Sequence, residues 1–350
     1  MANILITGGA GFIGSNFIKK MLSTHPEHTL INVDSLTYAG NLDNLNEITD
    51  NENYVFYKAD IRDRKAIEKI FVDFDISYIV NFAAESHVDR SILDPEVFLT
   101  TNIIGTQILL DTARKNWSIR PTDKYCREYK SGVKYIQIST DEVYGALGST
   151  GLFTEKSPLH PNSPYSVSKA AADMLVMSYF STFGLPINVT RCSNNYGPNQ
   201  FPEKLIPLMI NNCINDMELP VYGDGMQIRD WIHVYDHCDA IDLVLHKGKV
   251  GEVYNIGGNC EKTNLEIIKS IVSYLGKSTS LIRYVSDRPG HDRRYAIDNT
   301  KIMTDLGWMP KINFPLGITN TIEWYKANVE WVKNVMNMNY LQYYSSMYKS

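Results

Sequence analysis

The chain has 350 residues, of which 44% are hydrophobic and 21% are charged, and its formal net charge is −5. These values are typical of a globular protein of about two domains and exclude the disordered and fibrous classes. Because the net charge is negative, the composition does not indicate a basic surface for nucleic acid, and nucleic acid is not expected as a partner. No apolar stretch reaches the roughly 18 residues of a membrane span, so no membrane partner is expected either.

Short β-branched runs alternate with longer amphipathic stretches along the first half of the chain. The predicted strands are 3–7, 29–33, 54–59, 78–83, 134–139 and 187–191, and the predicted helices are 12–24, 64–74, 95–115 and 165–183. Apolar strands separated by helices favour a parallel sheet that is covered on both faces. The predicted fold class is therefore α/β, with a doubly wound parallel sheet of the Rossmann-like type.

The amino-acid composition changes after residue 194, where proline and glycine become frequent. We interpret this later part as a second, smaller α/β domain that holds the substrate. The first domain is predicted to cover 1–194 and 233–260, and the second to cover 195–232 and 261–330. The remaining residues, 331–350, are predicted to form a C-terminal tail.

The five cysteines, at positions 126, 192, 213, 238 and 260, are scattered and contain no C-x-x-C pair. Zinc clusters and disulfide frameworks are therefore not expected, and the sequence predicts no metal. Unpaired thiols fit a reducing compartment. Because the N-terminal segment also lacks the basic region of a signal peptide, a cytoplasmic location is predicted.

A glycine-rich turn, "ITGGAGFIG", lies between the first predicted strand and the first predicted helix. Gly9, Gly11 and Gly14 have G-x-G-x-x-G spacing. Gly8, Gly11 and Gly14 also fit the related G-x-x-G-x-x-G pattern. Such glycines let the backbone approach a pyrophosphate at a helix N-terminus, although a plain tight turn can have the same residues. Asp34 strengthens the interpretation, because a carboxylate at the end of the second strand binds a ribose 2′-OH and repels a 2′-phosphate. NAD is therefore predicted rather than NADP.

Two later strand ends are also candidates for the cofactor. Asp60 and Ile61 follow the third strand, where they would border the adenine, and "NFAAES" (81–86) follows the fourth, where it would pass the phosphates and ribose. The alternative is that both are ordinary strand-to-helix turns.

A tyrosine and a lysine lie one helical turn apart in "NSPYSVSKAAADML". Ser163 is a plausible N-cap with Pro164 in the first turn, so Tyr165 and Lys169 share a helix face. A free tyrosine has a pKa of about 10. A neighbouring cation and a positively charged nicotinamide would favour its phenolate, which suits proton removal from an alcohol. An isolated Y-x-x-x-K often means only a surface tyrosine beside a solvated lysine.

The strand end "ISTDEVYG" (138–145) carries two adjacent acids, Asp141 and Glu142. Like charges in a shared crevice tend to titrate as a coupled pair, with one ionised and one protonated. This is the state that an elimination needs, since it requires one base and one acid. In an arbitrary loop the same residues would be a turn or N-cap aspartate and a solvated glutamate.

The glycine turn, "YSVSK" and the "IST…VYG" strand end resemble the extended short-chain dehydrogenase/reductase family, whose members act on nucleotide sugars. Four stretches are similar to the 4,6-dehydratase branch of that family: "STDEVYG", "NNYGPNQFPEKLIP", "GDGMQIRDWIHV" and "DRPGHDRRYAID". The resemblance implies NAD as cofactor, dTDP-glucose as the nucleotide-sugar substrate and a 4-keto-6-deoxy sugar as product. It also implies a homodimer, packed here through the helices predicted at 95–115 and 165–183.

The resemblance also assigns roles. Tyr165 would deprotonate the C4 hydroxyl with support from Lys169, and Thr140 would polarise the resulting ketone. Glu142 would be the base at C5, and Asp141 would be the acid that protonates the departing O6.

Binding residues follow from the same resemblance. The residues expected to bind the cofactor are Gly8, Gly11, Phe12, Ile13, Gly14, Asp34, Ser35, Thr37, Asp60, Ile61, Phe82, Ala83, Ala84, Thr101, Tyr165, Lys169 and Asn195. Those expected to bind the substrate are Ser86, Thr140, Asn194, Lys204, Leu205, Pro220, Val221, Tyr222, Arg229, Asn264, Asp287, Arg288 and His291. Of these, 220–222 would pack against the nucleobase and Arg229 would meet the diphosphate. The alternatives are that Arg229 forms a surface ion pair with Asp230 and that His291 is simply an exposed side chain.

Three alternatives remain at this stage. A 4-epimerase of the same family returns hydride to the carbon it left and needs no acid pair. A UDP-glucose 4,6-dehydratase has the same chemistry on another base. A non-catalytic NAD-binding protein would be expected to have lost some of Tyr165, Lys169, Asp141 and Glu142.

Overall fold

The computed structural model describes residues 2–336. Its strands are β1 Asn3–Thr7, β2 Thr29–Asp34, β3 Tyr54–Lys58, β4 Ile76–Asn81, β5 Lys134–Thr140, β6 Ile187–Cys192, β7 Asn194–Tyr196, β8 Leu219–Tyr222, β9 Ile228–His233, β10 Val253–Ile256, β11 Glu261–Thr263 and β12 Ile282–Val285. Its α-helices are α1 Phe12–Thr24, α2 Arg64–Asp73, α3 Val88–Leu93, α4 Pro95–Leu99, α5 Thr106–Trp117, α6 Pro164–Phe183, α7 Leu205–Ile214, α8 Val234–Lys247, α9 Asn264–Tyr274, α10 Thr300–Leu306, α11 Phe314–Ala327 and α12 Val329–Val335.

The main sheet has seven parallel strands in the order β10-β6-β5-β4-β1-β2-β3. Along β1, Ile4 and Ile6 pack into one core and Leu5 packs into another on the opposite face. Helices α1 and α8 cover the first face, and α2, α5 and α6 cover the second. The predicted doubly wound sheet is confirmed, and its six predicted strands all lie within two residues of their predicted bounds.

The strand order reverses at β1, where β2 and β4 are its two neighbours. Connections from adjacent strands leave in opposite directions at such a point, which opens a crevice at the carboxyl edge of the sheet. The glycine turn follows β1, the 82–86 loop follows β4, and Asp141 follows β5. The fold thus brings the three main sequence motifs to one edge.

A second group of elements forms around two small sheets, ordered β11-β9-β7 and β12-β8. Helices α7, α9 and α11 pack with these strands around a separate core, which includes Ile210, Trp231 and Ile268. Between these elements the chain returns to the first sheet, since β10 pairs with β6 and α8 packs on α1. The second, smaller α/β unit is present, while its residue boundaries stay a prediction.

The predicted C-terminal tail, 331–350, overlaps α12. Trp331 is buried, and its indole N–H donates to Asn44 Oδ1 at 2.7 Å, so folded structure continues past this residue. Residues 337–350 of the predicted tail lie outside the described residues. Within 2–336, no helix has the length and apolarity to cross a bilayer.

The helix predicted at 95–115 is interrupted. Between α4 and α5, Thr100–Gly105 forms a π-helical segment, and this wider turn contains Asn102. The Asn102 side chain accepts from the Glu85 N–H at 2.9 Å and donates to the Glu85 carbonyl at 3.0 Å and to Ser168 Oγ at 2.8 Å. The π-helical turn therefore carries the residue that fixes the loop after β4, a frequent use of such turns near functional sites.

Candidate active site

A cavity of about 300 Å³ lies at the carboxyl edge of the main sheet, within the range of small-molecule sites. Every residue predicted to bind the cofactor lines it. Of the residues predicted for the substrate, Ser86, Thr140, Asn194 and Lys204 line it as well, and so do Asp141 and Glu142. One cavity thus joins the predicted cofactor and catalytic residues.

The glycine turn is tightly packed. Gly8 has φ +71°, and a Cβ there would lie 2.6 Å from the Ala83 nitrogen. A Cβ at Gly14 would lie 2.4 Å from the Gly8 carbonyl oxygen. Gly11 is the N-cap of α1 and offers no side chain, so the first amides of the helix face the cavity without a capping group. These features fit a bound pyrophosphate.

Asp34 is held at the end of β2 by two backbone amides. Its Oδ2 accepts from the Ala10 N–H at 3.0 Å and its Oδ1 accepts from the Leu36 N–H at 2.8 Å. Burial raises the pKa of this carboxyl, and the two hydrogen bonds oppose the shift. Each oxygen keeps a second lone pair, so the carboxylate can accept from ribose hydroxyls.

Arg62, which sequence reasoning missed, also lines the cavity beside Asp60. Its Nη2 donates to Asp60 Oδ2 at 2.7 Å, so its charge is paired within the protein. A 2′-phosphate needs a cation, and this pairing leaves Arg62 poorly suited to that role. Arg62 directly follows the predicted Asp60-Ile61 stretch, so its position at the end of the third strand could have identified it as a residue of the cavity.

Tyr165 and Lys169 both lie in the cavity, near the start of α6. The predicted N-cap is confirmed, because Ser163 Oγ accepts from the Ser166 N–H at 3.1 Å. Tyr165 is 8% exposed, and Lys169 Nζ donates to the Ile138 carbonyl at 2.6 Å. The α6 capping thus sets the position of both side chains.

In the protein without a bound ligand, the surroundings of Tyr165 favour its neutral phenol. Burial, followed by the Glu142 charge, raises the Tyr165 pKa well above its ordinary value, and a hydrogen bond with Thr140 opposes this. Burial also lowers the Lys169 pKa. Desolvation is the largest cause of the Tyr165 shift, so positive charge from a bound ligand would be needed to favour the phenolate.

The adjacent acids have different environments. Asp141 is 1% exposed, its Oδ2 is buried without a partner, and its Oδ1 accepts from Thr140 Oγ1 at 3.3 Å. Burial raises its pKa well above the ordinary value, and the charges of Glu142 and Asp230 add to the shift.

Burial also raises the Glu142 pKa, but the charges of Arg288, Arg229 and Lys204 oppose that shift. Three cations thus favour ionisation of Glu142, whereas Asp141 is pushed towards its protonated form. These environments favour the protonated form more strongly at Asp141 than at Glu142.

Arg229 lies near this pair without lining the cavity. It is 5% exposed, and its guanidinium donates to the Ile228 and Asp292 carbonyls at 2.8 and 2.9 Å. Asp230 is also buried and accepts from the Gly258 and Cys260 N–H groups. The alternative of a surface ion pair is therefore wrong.

A second group of side chains lies near Asp141 and Glu142. It contains four residues that were predicted to bind the substrate: Tyr222, Asp287, Arg288 and His291. Arg288 Nη1 donates to Asp89 Oδ1 at 2.9 Å, and the Tyr222 hydroxyl donates to Asp89 Oδ2 at 3.3 Å. His291 Nδ1 donates to Asp287 Oδ1 at 2.6 Å, and its side chain is only 6% exposed. The alternative of an exposed histidine is wrong, and Asp89, which sequence reasoning missed, connects this group to α3.

The remaining predicted substrate residues lie apart from the cavity. Pro220 and Val221 are buried in β8, and Val221 packs into the second core, so their side chains are not available to a base. Leu205 begins α7, and Asn264 begins α9, where its N–H donates to the Gln227 carbonyl. Only Tyr222 of the 220–222 stretch presents a partly exposed side chain, with its ring 6.1 Å from that of His291.

The parallel sheet, the glycine turn with Asp34, and the Tyr165–Lys169 pair define a dinucleotide-dependent enzyme of the short-chain dehydrogenase/reductase class. Residues 5–321 match the model of the family described as GDP-mannose 4,6 dehydratase. A dTDP-glucose 4,6-dehydratase of Xanthomonas campestris is 49% identical over 97% of this chain and 97% of its own, and one of Escherichia coli is 50% identical over 96% and 97%. The crystal structure of a Bacillus anthracis dTDP-glucose 4,6-dehydratase in complex with NAD has a TM-score of 0.86 at 51% identity, over 96% of this chain and 100% of that one. The chain belongs to the extended short-chain dehydrogenase/reductase family, in the group of the dTDP-glucose 4,6-dehydratases.

Replacing the buried acid should change how stability depends on pH. Because the folded state raises the Asp141 pKa, it binds more protons than the unfolded state above pH about 4, and this carboxyl lowers stability as pH rises. Asp141→Asn removes that dependence. We expect its free energy of unfolding in urea to exceed that of the wild type by more at pH 8 than at pH 5. The exposed-site control Asp50→Asn should show no such increase, and an equal difference at both pH values for Asp141→Asn would contradict the account.

Proposed function

We propose that the protein is a hydro-lyase that converts dTDP-glucose to dTDP-4-keto-6-deoxy-glucose with NAD as a recycled cofactor. The observation that supports this best is the buried acid pair beside Tyr165 in the predicted cofactor cavity. The near-full-length similarity to enzymes named for this reaction supports the substrate.

The residues predicted for the cofactor would hold NAD along the carboxyl edge of the sheet. The glycine turn would bind the pyrophosphate through backbone N–H groups, and Asp34 would accept from the ribose hydroxyls. When bound, NAD⁺ accepts hydride from C4 of the hexose and later returns it to C6. Because the cofactor ends each cycle as it began, tight retention is expected.

Tyr165 would take the proton from the C4 hydroxyl. Its phenol is buried and has a raised pKa, so the positive charge that accompanies oxidised cofactor is needed to make it a base. Thr140 would hydrogen-bond at O4 and polarise the C4 ketone. The ketone makes the C5 hydrogen acidic, which prepares the second step.

Glu142 would then remove the C5 proton while Asp141 gives its proton to the departing O6. The C6–O bond breaks and water leaves, which produces a double bond between C5 and C6. Hydride addition at C6 and return of the proton to C5 give the methyl group. The cations around Glu142 and the isolation of Asp141 Oδ2 support this division of roles.

The second small unit would bind the nucleotide. Arg229 and Arg288 would meet the diphosphate, and Tyr222 would contact the base, while Lys204 and Ser86 would face the sugar. Lys204 Nζ already donates to the Ser86 carbonyl at 2.9 Å, which ties α7 to the 82–86 loop. Leu205, Asn264, Asp287 and His291 would complete the pocket through backbone or supporting contacts.

The central test is an assay on purified protein without added NAD. dTDP-glucose should give a 4-keto-6-deoxy product, and Glu142→Gln and Asp141→Asn should each lower its rate roughly 100- to 10,000-fold while retaining the wild-type NAD content. The matched controls Glu52→Gln and Asp50→Asn change exposed acids and should keep full activity.

Each other outcome has a clear meaning. A product only from UDP-glucose would change the substrate, and a 4-epimer without dehydration would make the protein an epimerase. Bound NAD without any turnover of either sugar would leave a non-catalytic binding protein. Full turnover by Glu142→Gln would remove that residue from the base role.

We also propose that the protein is a homodimer. The helices predicted to pack across the dimer expose apolar side chains: Leu99 precedes the π-helical segment, Ile104 lies in it, and Val167 and Met174 share one face of α6. Since α6 contacts α4 and the π-helical segment, these side chains belong to one region of the surface.

The unpaired thiols of the five cysteines further support the predicted cytoplasmic location.

A charge within that apolar region should weaken the dimer. We expect Met174→Asp to raise the dissociation constant roughly 30-fold, corresponding to about 2 kcal/mol, because the carboxylate would be desolvated at the interface. Light scattering across a dilution series measures this. The control Leu316→Asp, at a similarly exposed site on α11, should remain dimeric, and an unchanged dimer in Met174→Asp would place the interface elsewhere.

A further inference from the structure

Three histidines come together at the amino edge of the main sheet, far from the active-site cavity. His25 caps the end of α1, His28 directly precedes β2, and His246 lies in the last turn of α8. Asp34, at the other end of the six-residue β2, belongs to the active site. A strand of that length spans about 20 Å, so the two sites are well separated.

The three imidazoles form a compact triangle. Their ring centroids are 4.6 Å apart for His25 and His246, 5.7 Å for His25 and His28, and 5.8 Å for His28 and His246. One ring nitrogen of each lies within 4.8 Å of the other two. Nitrogens bound at about 2.0 Å to one tetrahedral ion are about 3.3 Å apart, so the rings must approach one another by up to about 1.5 Å and reorient to bind it.

Carboxylates hold the rings from outside. Asp242 Oδ1 accepts from His25 Nε2 at 3.0 Å and from His246 Nδ1 at 2.9 Å, which leaves the other nitrogen of each ring available. Glu27 lies 3.7 Å from His25 Nδ1 and 3.6 Å from His28 Nε2. A carboxylate behind a histidine fixes its tautomer and orientation in metal sites.

His28 gives an independent indication of a ligand. Its side chain is 11% exposed, and its Nδ1 is buried without a hydrogen-bond partner. A buried polar atom without a partner is costly unless something binds it.

The surroundings also favour a cation. The ends of α1 and α8 meet here, and the C-terminal end of a helix carries partial negative charge. Lys20 is close, but it is paired with Asp239 at 2.7 Å and with Asp242 at 3.4 Å. The nearby lysine charge is thus offset by two carboxylates.

We propose that His25, His28 and His246 bind one divalent transition-metal ion of the zinc type, with water as the fourth ligand. The ion joins the α1–β2 connection to α8. Its role is structural, because no member of the group lines the active-site cavity.

The test uses untagged, full-length protein that has been stripped with a chelator and dialysed. Titration with Co²⁺ and calorimetry with Zn²⁺ should show one ion per chain, with visible Co²⁺ absorption. His28→Gln and His246→Gln should lower affinity at least 100-fold, and Asp242→Asn should lower it roughly 10- to 100-fold through the ring orientation. The control His160→Gln changes an exposed histidine and should bind like the wild type.

A second measurement needs no variant. Zn²⁺ should protect the three histidines, but not His160, from diethyl pyrocarbonate in peptide maps of the wild type. Failure of the stripped wild type to bind Zn²⁺ at micromolar concentration would overturn the proposal. So would wild-type affinity in folded His28→Gln and His246→Gln, or equal modification of all four histidines with and without Zn²⁺.

Discussion

The placement of two adjacent acids, a buried Asp141 and a half-buried Glu142, at the end of β5 is the constraint on which the site depends. Placing Asp141 and Glu142 together in a low-dielectric crevice is costly, and the fold does not relieve the cost equally. Three cations, Arg288, Arg229 and Lys204, oppose the shift at Glu142, whereas Asp141 has only Arg229 as an opposing charge and its Oδ2 has no hydrogen-bond partner. The resulting difference in proton affinity allows Asp141 and Glu142, which are neighbours in the chain, to have the different roles of acid and base proposed above.

The two units of the fold contribute different features around Asp141 and Glu142. The parallel sheet supplies the cofactor edge through backbone features that need no particular side chain, such as the close approach of Gly8 to the loop after β4. The second unit supplies charge, and Asp89 connects it to α3 by accepting from Arg288 and Tyr222. The position of the second unit therefore contributes to the electrostatic environment of Glu142.

Local patterns predicted most of the fold and much of the site. The β1 bounds, the Ser163 cap and the glycine turn depend on neighbouring residues, so the sequence specifies them. Contacts between distant segments were not predictable: Asn102 lies in a π-helical turn when it contacts Glu85, and Asp89 contacts Tyr222 of β8 and Arg288 of a later loop. Helix spacing also shows that Lys169 is near Tyr165, but it does not show the burial that raises the Tyr165 pKa in the protein alone. The histidine group is invisible in sequence because α8 returns to α1 only in the fold.

Migration of one hydrogen within a single hexose is the central claim, and an isotope tests it directly. dTDP-glucose with deuterium at C4 should yield a product whose new C6 methyl group carries that deuterium, detected by mass spectrometry and by NMR. Hydrogen from solvent should appear only at C5. Deuterium that remains at C4, or that is lost to solvent while the methyl group forms, would contradict the account.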